Sequence, residues 1–302
     1  MVNDKRVCFD FEIEFLNGGG IQGQGFRLDI EGETIADDTL AAYIVADLRL
    51  LMVGEVRILN KKFITERHKR TSTPGAHLAG DDPRRLIDLS HVIEDGMITY
   101  KGLPAPIICD HLSRARSREI YAEGTEFQID RIEMVGNTGT YLDTPFHRYA
   151  DGQDLSEMAL DRMADCPGAV VRVEGSRQRE VDQMAFAAVD VSGKAVLVHT
   201  GWDRHWRTDQ YFEGHPHLTE AAAVHLRDRG AILVGIDSFN IDDTSGNTRP
   251  VHSILLGAGI PIVEHMTNLG ALPADGFRFF AVPPKVRKMG TFPVRAHALL
   301  PG

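Results

Sequence analysis

The stretch Asn137-Thr-Gly-Thr-Tyr-Leu-Asp-Thr-Pro-Phe-His147 brings a phenol, a carboxylate, a proline and an imidazole together in one short segment. It follows a strand-like run, residues 128–135, so it lies where a strand ends, and such positions commonly hold reactive side chains. If residues 141–147 are extended, Tyr141, Asp143 and His147 point to the same face. Two interpretations follow from the spacing: a reactive surface, or a proline-stiffened connection with a buried, hydrogen-bonded aspartate.

The same stretch resembles the signature His-x-Gly-Thr-His-x-Asp-x-Pro-x-His of the metal-dependent cyclase family, which includes bacterial kynurenine formamidases and isatin hydrolases. The matching residues are Gly139, Thr140, Asp143, Pro145 and His147. Asn137 and Tyr141 stand where the family has its first two histidines. Because those histidines are metal ligands in the family, the departure affects the chemistry more than the fold.

A later pair, His252 and Glu264, also matches the family pattern and keeps its twelve-residue spacing. The resemblance implies that Asp143, His252 and Glu264 hold one divalent metal, and that His147 acts as the acid and base. Two oxygens and one nitrogen suit zinc or manganese. A catalytic zinc usually has three protein ligands and a water that ionises near neutral pH.

Because Asn137 and Tyr141 replace two histidine ligands, the sequence leaves open whether the site binds a metal. The amide carbonyl of Asn137 would be a weak ligand. The phenol of Tyr141, with an ordinary pKa of about 10, would have to lose its proton to bind a metal. Tyr141 is therefore expected to donate hydrogen bonds, for example to an oxyanion. Three interpretations remain: one metal at Asp143, His252 and Glu264, a metal-free acid–base site, or no catalysis because two histidine ligands are missing.

The leading functional hypothesis is a hydrolase of a C–N bond, amide, formamide or lactam, in a small aromatic or cyclic substrate. His147 is its central residue, because an imidazole with a pKa of about 6.5 can take up and return a proton at neutral pH. Asn137 and Trp202 are predicted to contact the substrate, although a tryptophan in the core is the common alternative for Trp202. Two other hypotheses are a metal-independent cyclase or dehydratase that uses His147 and Tyr141, and a non-catalytic ligand-binding protein.

Composition excludes several classes of partner. The chain has 302 residues, 43% hydrophobic residues and a net charge of −10, which is ordinary for a globular protein. No basic cluster stands out beyond residues 67–70, so nucleic acid is not expected. No apolar run is long enough for a membrane span or a signal peptide.

Three widely spaced cysteines indicate free thiols in the cytoplasm. The expected partners are a small-molecule substrate and, from the resemblance, further copies in a homodimer or homotetramer.

Three segments are predicted along the chain. Residues 1–70 form a small β-β-α-β unit, residues 71–84 are a linker by composition, and residues 85–302 form the cyclase-like hydrolase domain. The motif Gly18-x-Gly20-x-x-Gly23 formally matches a dinucleotide fingerprint. That fingerprint requires a helix directly after it, whereas a strand is predicted here, so the glycines indicate a hairpin loop.

The main domain is predicted to be α/β. Residues 169–173, 195–199 and 231–236 are short apolar runs typical of central strands buried on both faces, and residues 219–230 have the pattern of an amphipathic helix. The segment His215-Pro-His217 is expected to be a surface loop. The resemblance implies a swivelling β/β/α fold over residues 85–300.

Overall fold

The computed structural model describes residues 4–16, 18–30, 32–48, 50, 53–66, 85–176 and 178–301. The chain divides into two compact units, residues 1–80 and residues 81–302. The predicted linker, residues 71–84, lies outside the described residues, so the predicted domain boundaries stay a prediction.

The first unit is a small sheet with one helix. Its elements are β1 (Asp4–Phe15), β2 (Gly20–Asp29), α1 (Asp37–Asp47) and β3 (Val53–Glu66). Strand β1 is central and antiparallel to both neighbours. Its alternate residues are apolar and buried because every second side chain faces the helix side of the sheet; they are Val7, Phe9, Phe11 and Ile13, which pack with Leu40 and Ile44. The predicted β-β-α-β order is confirmed.

The glycine motif of the first unit forms a hairpin. Gly18 and Gly19 have φ of 84° and 86°, a region that glycine adopts without steric penalty. Gly20 then begins β2, and no helix follows the motif. The prediction of a hairpin loop in place of a nucleotide-binding turn is confirmed.

The second unit contains the remaining elements. In chain order they are β4 (Arg85–Asp88), β5 (Ile107–Leu112), α2 (Arg114–Ser117), β6 (Ile129–Glu133), β7 (Tyr141–Asp143), β8 (Cys166–Arg172), β9 (Glu180–Val181), β10 (Ala195–His199), β11 (His217–Leu218), α3 (Glu220–Asp228), β12 (Leu233–Ile236), α4 (Pro250–Gly257), β13 (Ile262–Glu264), β14 (Asp275–Phe280), β15 (Thr291–Pro293) and β16 (His297–Leu300).

One mixed sheet dominates this unit, with the strand order β15-β7-β13-β12-β10-β8-β14-β16-β4. Strands β8, β10, β12 and β13 are parallel to one another. Strand β7 runs antiparallel to both β13 and β15. Two small sheets, β5 with β6 and β9 with β11, lie outside it.

The central strands are apolar because both of their faces are covered. On β10, Leu197 belongs to a core with β8, β14 and β16, whereas Val196 and Val198 pack on the other face with α3 and α4. The predicted helix over residues 219–230 is found as α3. The Thr219 hydroxyl accepts the N–H of Ala222 at 3.1 Å, which is a standard N-cap.

Among the described residues, no helix has the length and apolar character that crossing a membrane requires.

Candidate active site

Strand β7 sets the geometry of the site. Tyr141 and Asp143 lie on one face of this strand, while Leu142 between them packs into the core. In the register of the sheet, Tyr141 is opposite Glu264 on β13, and Asp143 is opposite Thr291 on β15. Residues directly opposite one another in adjacent strands have neighbouring side chains. The sheet therefore joins three separate parts of the sequence around Asp143.

His147 reaches the same face by a route that differs from the prediction. The strand ends at Asp143, and Pro145 begins a short 3-10 helix, Pro145–His147, because its fixed φ suits the first position of a helix. The turn still leaves His147 Nδ1 3.5 Å from Asp143 Oδ1 and 2.8 Å from Thr291 Oγ1. The Thr291 hydroxyl also donates to Asp143 Oδ1. One hydroxyl group thus connects the imidazole to the carboxylate.

His252 lies in the first turn of α4 and is held by Asp242. Asp242 Oδ2 is 2.6 Å from His252 Nδ1 and accepts the backbone N–H of His252 at 3.0 Å. Asp242 Oδ1 accepts the N–H of Val251 at 2.8 Å, so the carboxylate caps the helix as well. With Nδ1 engaged, Nε2 of His252 faces Asp143 Oδ2 and Glu264 Oε1, each 3.8 Å away.

Both carboxylate oxygens of Glu264 accept hydrogen bonds. The Tyr141 hydroxyl donates to Oε2 at 2.5 Å, and the backbone N–H of Ile241 donates to Oε1 at 2.6 Å. Burial, together with the nearby carboxylates of Glu264 and Asp143, raises the pKa of Tyr141 well above its ordinary value. Tyr141 is therefore a neutral phenol whose proton is directed at Glu264 and not at an oxyanion.

The charges of the site depend on one another. Burial alone would raise the pKa of Asp143, but His147 and His252 hold it below its ordinary value. Burial alone would lower the pKa of His252, but the carboxylates of Asp143 and Asp242 raise it to about 10. Burial raises the pKa of Glu264 to about 7 against the opposing effect of His252. Without a metal ion, the surrounding carboxylates thus favour the protonated form of His252. As a metal ligand, this imidazole would be neutral.

Three of these side chains could hold a metal ion. Asp143, His147 and His252 each offer a ligand atom within 4.8 Å of the other two. Glu264, which was predicted as the third ligand, is not part of that group. His147, which was predicted as the acid and base, takes its place. The assignment of the individual roles stays a prediction.

The side chains surround a cavity of about 250 Å³. It is lined by Tyr100, Leu103, Asn137, Tyr141, His147, Arg148, Asn240, Arg249, His252 and Glu264. The predicted substrate contact Asn137 lies in this wall. The other predicted contact, Trp202, does not: its indole N–H donates to the carbonyl of Tyr211 at 3.0 Å, and its ring packs on His205. These contacts are compatible with the alternative of a packing residue, and the role of Trp202 stays a prediction.

The segment His215-Pro-His217 corrects another expectation. Both histidines are buried, with 3% and 6% of their surface exposed. His215 Nε2 is 3.0 Å from the carbonyl oxygen of Asp242, directly behind the residue that holds His252. The prediction of a surface loop was wrong because polar composition does not reveal that a loop is covered by other segments.

The contributors to the site that were not predicted include Thr291, Asp242, Arg148 and Arg249. Arg148 directly follows His147 and Arg249 precedes His252 by three residues, so proximity to the motifs was an available signal for both. No such signal exists for Asp242 or Thr291, which approach the site only through the fold.

Comparisons with known proteins agree with the fold described above. A family described as "Putative cyclase" matches residues 87–243. Kynurenine formamidase of Geobacillus thermodenitrificans (strain NG80-2) is 29% identical over 213 residues, which cover 70% of this chain and 95% of that protein. Kynurenine formamidase of Delftia acidovorans (strain DSM 14801 / SPH-1) is 25% identical over the same length, with 96% of that protein covered.

Among solved structures, an isatin hydrolase bound to the product analogue thioisatinate superposes with a TM-score of 0.61 at 20% identity and covers 72% of this chain and 93% of its own. At these identities the structural likeness establishes the fold, and the predicted cyclase-like α/β architecture is confirmed.

Proposed function

Because the chain belongs to the cyclase family and its relatives place it among that family's hydrolases, we propose that it hydrolyses a C–N bond in a small aromatic or cyclic amide. The kynurenine formamidases and the isatin hydrolase that it resembles support this reaction class. The amide, formamide or lactam would bind in the cavity beside Asp143, His147 and His252.

The observation that carries the proposal is an unpartnered oxygen. Asp143 is fully buried, and its Oδ2 has no hydrogen-bond partner among the described residues. A buried carboxylate oxygen without a partner carries a penalty of about 1–3 kcal/mol. It faces Nε2 of His252 and lies in the group that could hold a metal. A cation at this position would satisfy Oδ2.

The donor set fits a divalent ion. Two imidazoles and one carboxylate form a ligand set common in catalytic zinc sites, and manganese accepts the same donors. The ion would supply Lewis-acid chemistry and an ionised water at neutral pH. Asp242 would fix the direction of His252 through Nδ1, as outer carboxylates do for ligating histidines.

If His147 is a ligand, a different group has to move the proton. Glu264 is the acidic residue of the cavity wall, and it is not part of the group formed by Asp143, His147 and His252. We assign to it the transfer of a proton from the attacking water to the leaving nitrogen. Tyr141 holds Glu264 in place through its hydroxyl, so the residue that replaces a family ligand becomes a positioning residue.

Metal content and turnover of matched variants test this assignment. The variants are Asp143→Asn, His147→Gln and Glu264→Gln, with His111→Gln on an exposed part of β5 as the control. We expect about one zinc or manganese per chain in wild type and in the control, and loss of metal in the first two variants. Glu264→Gln should keep the metal and lose turnover of an aryl formamide by about 100-fold or more.

Other outcomes assign the roles differently. Metal retained in His147→Gln but lost in Glu264→Gln would restore His147 as the acid and base and Glu264 as the third ligand. Turnover that survives complete chelation would favour a metal-independent cyclase or dehydratase. If the metal-loaded protein hydrolyses no aryl formamide or lactam, the proposed function is wrong.

A further inference from the structure

Two arginines line the cavity, although the chain as a whole carries a net charge of −10. Arg148 and Arg249 come from different elements, one directly after the 3-10 helix that carries His147 and the other at the start of α4. Within the described residues, neither guanidinium has a carboxylate within 4.0 Å. The cavity thus has two cations that no acidic side chain neutralises.

Both arginines are anchored by part of the guanidinium group. Arg148 Nε donates to Ser253 Oγ at 3.2 Å. Arg249 Nη1 donates to the carbonyl oxygens of Gly246 and Thr248 at 2.8 and 2.7 Å. The Ser253 hydroxyl in turn donates to the carbonyl oxygen of Arg249 at 2.8 Å. The Ser253 hydroxyl therefore connects the guanidinium of Arg148 to the backbone of Arg249.

The anchoring leaves hydrogen-bond donors available. In the described part of the chain, neither Nη atom of Arg148 has a hydrogen-bond partner, nor do Nε and Nη2 of Arg249. The guanidinium of Arg148 lies over the ring of Tyr149, 5.3 Å from its centroid. A guanidinium presents its N–H groups in a fork that matches the two oxygens of a carboxylate. An arginine already held at one nitrogen loses little freedom when it binds an anion.

The rest of the wall defines the other end of the ligand. Leu103 and Tyr100 are apolar surfaces, and the ring of Tyr100 packs on Phe239 with 4.7 Å between centroids. The acidic residue of the wall, Glu264, already accepts two hydrogen bonds. The cavity volume of about 250 Å³ is below the roughly 300–1,000 Å³ typical of ligand pockets, and this size favours a ligand with one ring.

We propose that the substrate is a one-ring aromatic amide that also carries a carboxylate, and that Arg148 and Arg249 bind this carboxylate while the amide faces Asp143, His147 and His252. The inference rests on the proposed hydrolysis of a C–N bond and adds a specificity to it. Ser253 anchors the guanidinium of Arg148 through its hydroxyl, which also bonds the backbone carbonyl of Arg249.

A pair of probes of the same shape tests the inference. 3-Formamidobenzoate carries the carboxylate, and 3-formamidobenzamide replaces it by a neutral amide of similar size. The measured quantity is the ratio of kcat/KM for the two probes in metal-loaded enzyme. We expect wild type to prefer the anion, and Arg148→Met and Arg249→Met each to lower the ratio by about 10- to 100-fold, as loss of a charged hydrogen bond would. Arg131→Met, on exposed β6, is the control that keeps the wild-type ratio.

Equilibrium binding of the same two probes gives an independent readout by calorimetry. Turnover of both probes with equal kcat/KM in wild type, or a ratio unchanged in both arginine variants, overturns the anion specificity and leaves the hydrolase proposal intact. Hydrolysis of neither probe, together with tight binding of the anion that both arginine variants weaken, contradicts the hydrolase and retains the anion site. Absence of both turnover and selective binding overturns both.

Discussion

At the scale of single residues, Asp242 fixes the direction in which His252 points. Its carboxylate contacts Nδ1 of the imidazole and the backbone N–H groups of the first turn of α4. This leaves Nε2 as the nitrogen that faces the cavity. Partners of this kind set the tautomer and the orientation of a ligating histidine.

Replacement of Asp242 by Asn is expected to weaken metal binding by about 10- to 100-fold, because the amide is a poorer acceptor for the imidazole N–H. The affinity is measured by competition with a chelating dye. Asp243→Asn, at the exposed neighbouring position, is the matched control. An unchanged affinity in Asp242→Asn, with an unchanged melting temperature, would show that Asp242 serves the helix and not the ligand.

The sequence predicts some residues of the site and not others for a physical reason. Asp143, His147 and His252 stand in short motifs whose residue types already indicate their chemistry. The bond between Tyr141 and Glu264 depends on the register of β7 against β13, across 123 positions of the chain, and no local pattern specifies that register. The grouping of Asp143 and His147 with His252 likewise depends on long-range geometry.

At the scale of elements, the turn after β7 is confined by the segment that leads into β15. A Cβ atom at Gly290 would lie 2.3 Å from the backbone N of His147 and 2.6 Å from its Cα. Both atoms belong to the backbone, so neither can move without the turn that carries the imidazole. The glycine allows the close approach that brings Thr291 to His147.

Gly290→Ala is expected to displace this turn and to lower turnover by about tenfold or more, together with a loss of about 1–3 kcal/mol in the free energy of unfolding from overpacking. Turnover and melting temperature are measured on the same preparation. Gly246→Ala is the control, because no atom lies within 4 Å of its added Cβ. Equal behaviour of the two variants would mean that the turn tolerates displacement.

Element types were more predictable than element ends. The runs at 195–199 and 231–236 were predicted as central strands because a strand covered on both faces has no polar side, and β10 and β12 confirm this. The extended conformation considered for residues 141–147 is wrong for Pro145–His147, which form a 3-10 helix. A proline is equally compatible with a strand end and with the start of a helix.

At the scale of the whole molecule, assembly stays a prediction. The sheet of β5 and β6 and the loop that joins the two strands expose several apolar side chains, namely Ile107, Ile120, Phe127, Ile129 and Ile132. Exposed apolar surface of this kind is compatible with the expected homodimer or homotetramer. The mass of the protein in solution would give the number of copies in the assembly.

Buried histidines make the second unit sensitive to acid. Burial lowers the pKa of His215 to about 4, whereas an unfolded histidine has a pKa of about 6.5. Between these values the unfolded chain binds the proton and the folded one does not. Stability is therefore fully present above about pH 6.5 and is lost as the pH falls toward 4.

His215→Gln is expected to reduce this pH dependence. Between pH 7.5 and pH 5, the wild type should lose about 2 kcal/mol more of its free energy of unfolding than the variant. Urea unfolding followed by tryptophan fluorescence is suitable, because both tryptophans, Trp202 and Trp206, are in the second unit. His111→Gln should keep the wild-type slope, and parallel slopes for all three proteins would contradict the assignment.

The pairing of Asp143 with Thr291 also determines when the site can form during synthesis. The two residues are separated by 148 positions. Contacts between distant segments form late, because the loop between them must close first. The nascent chain therefore acquires Asp143 long before its hydroxyl partner has left the ribosome. Ligand binding can contribute to folding only once β15 has joined the sheet.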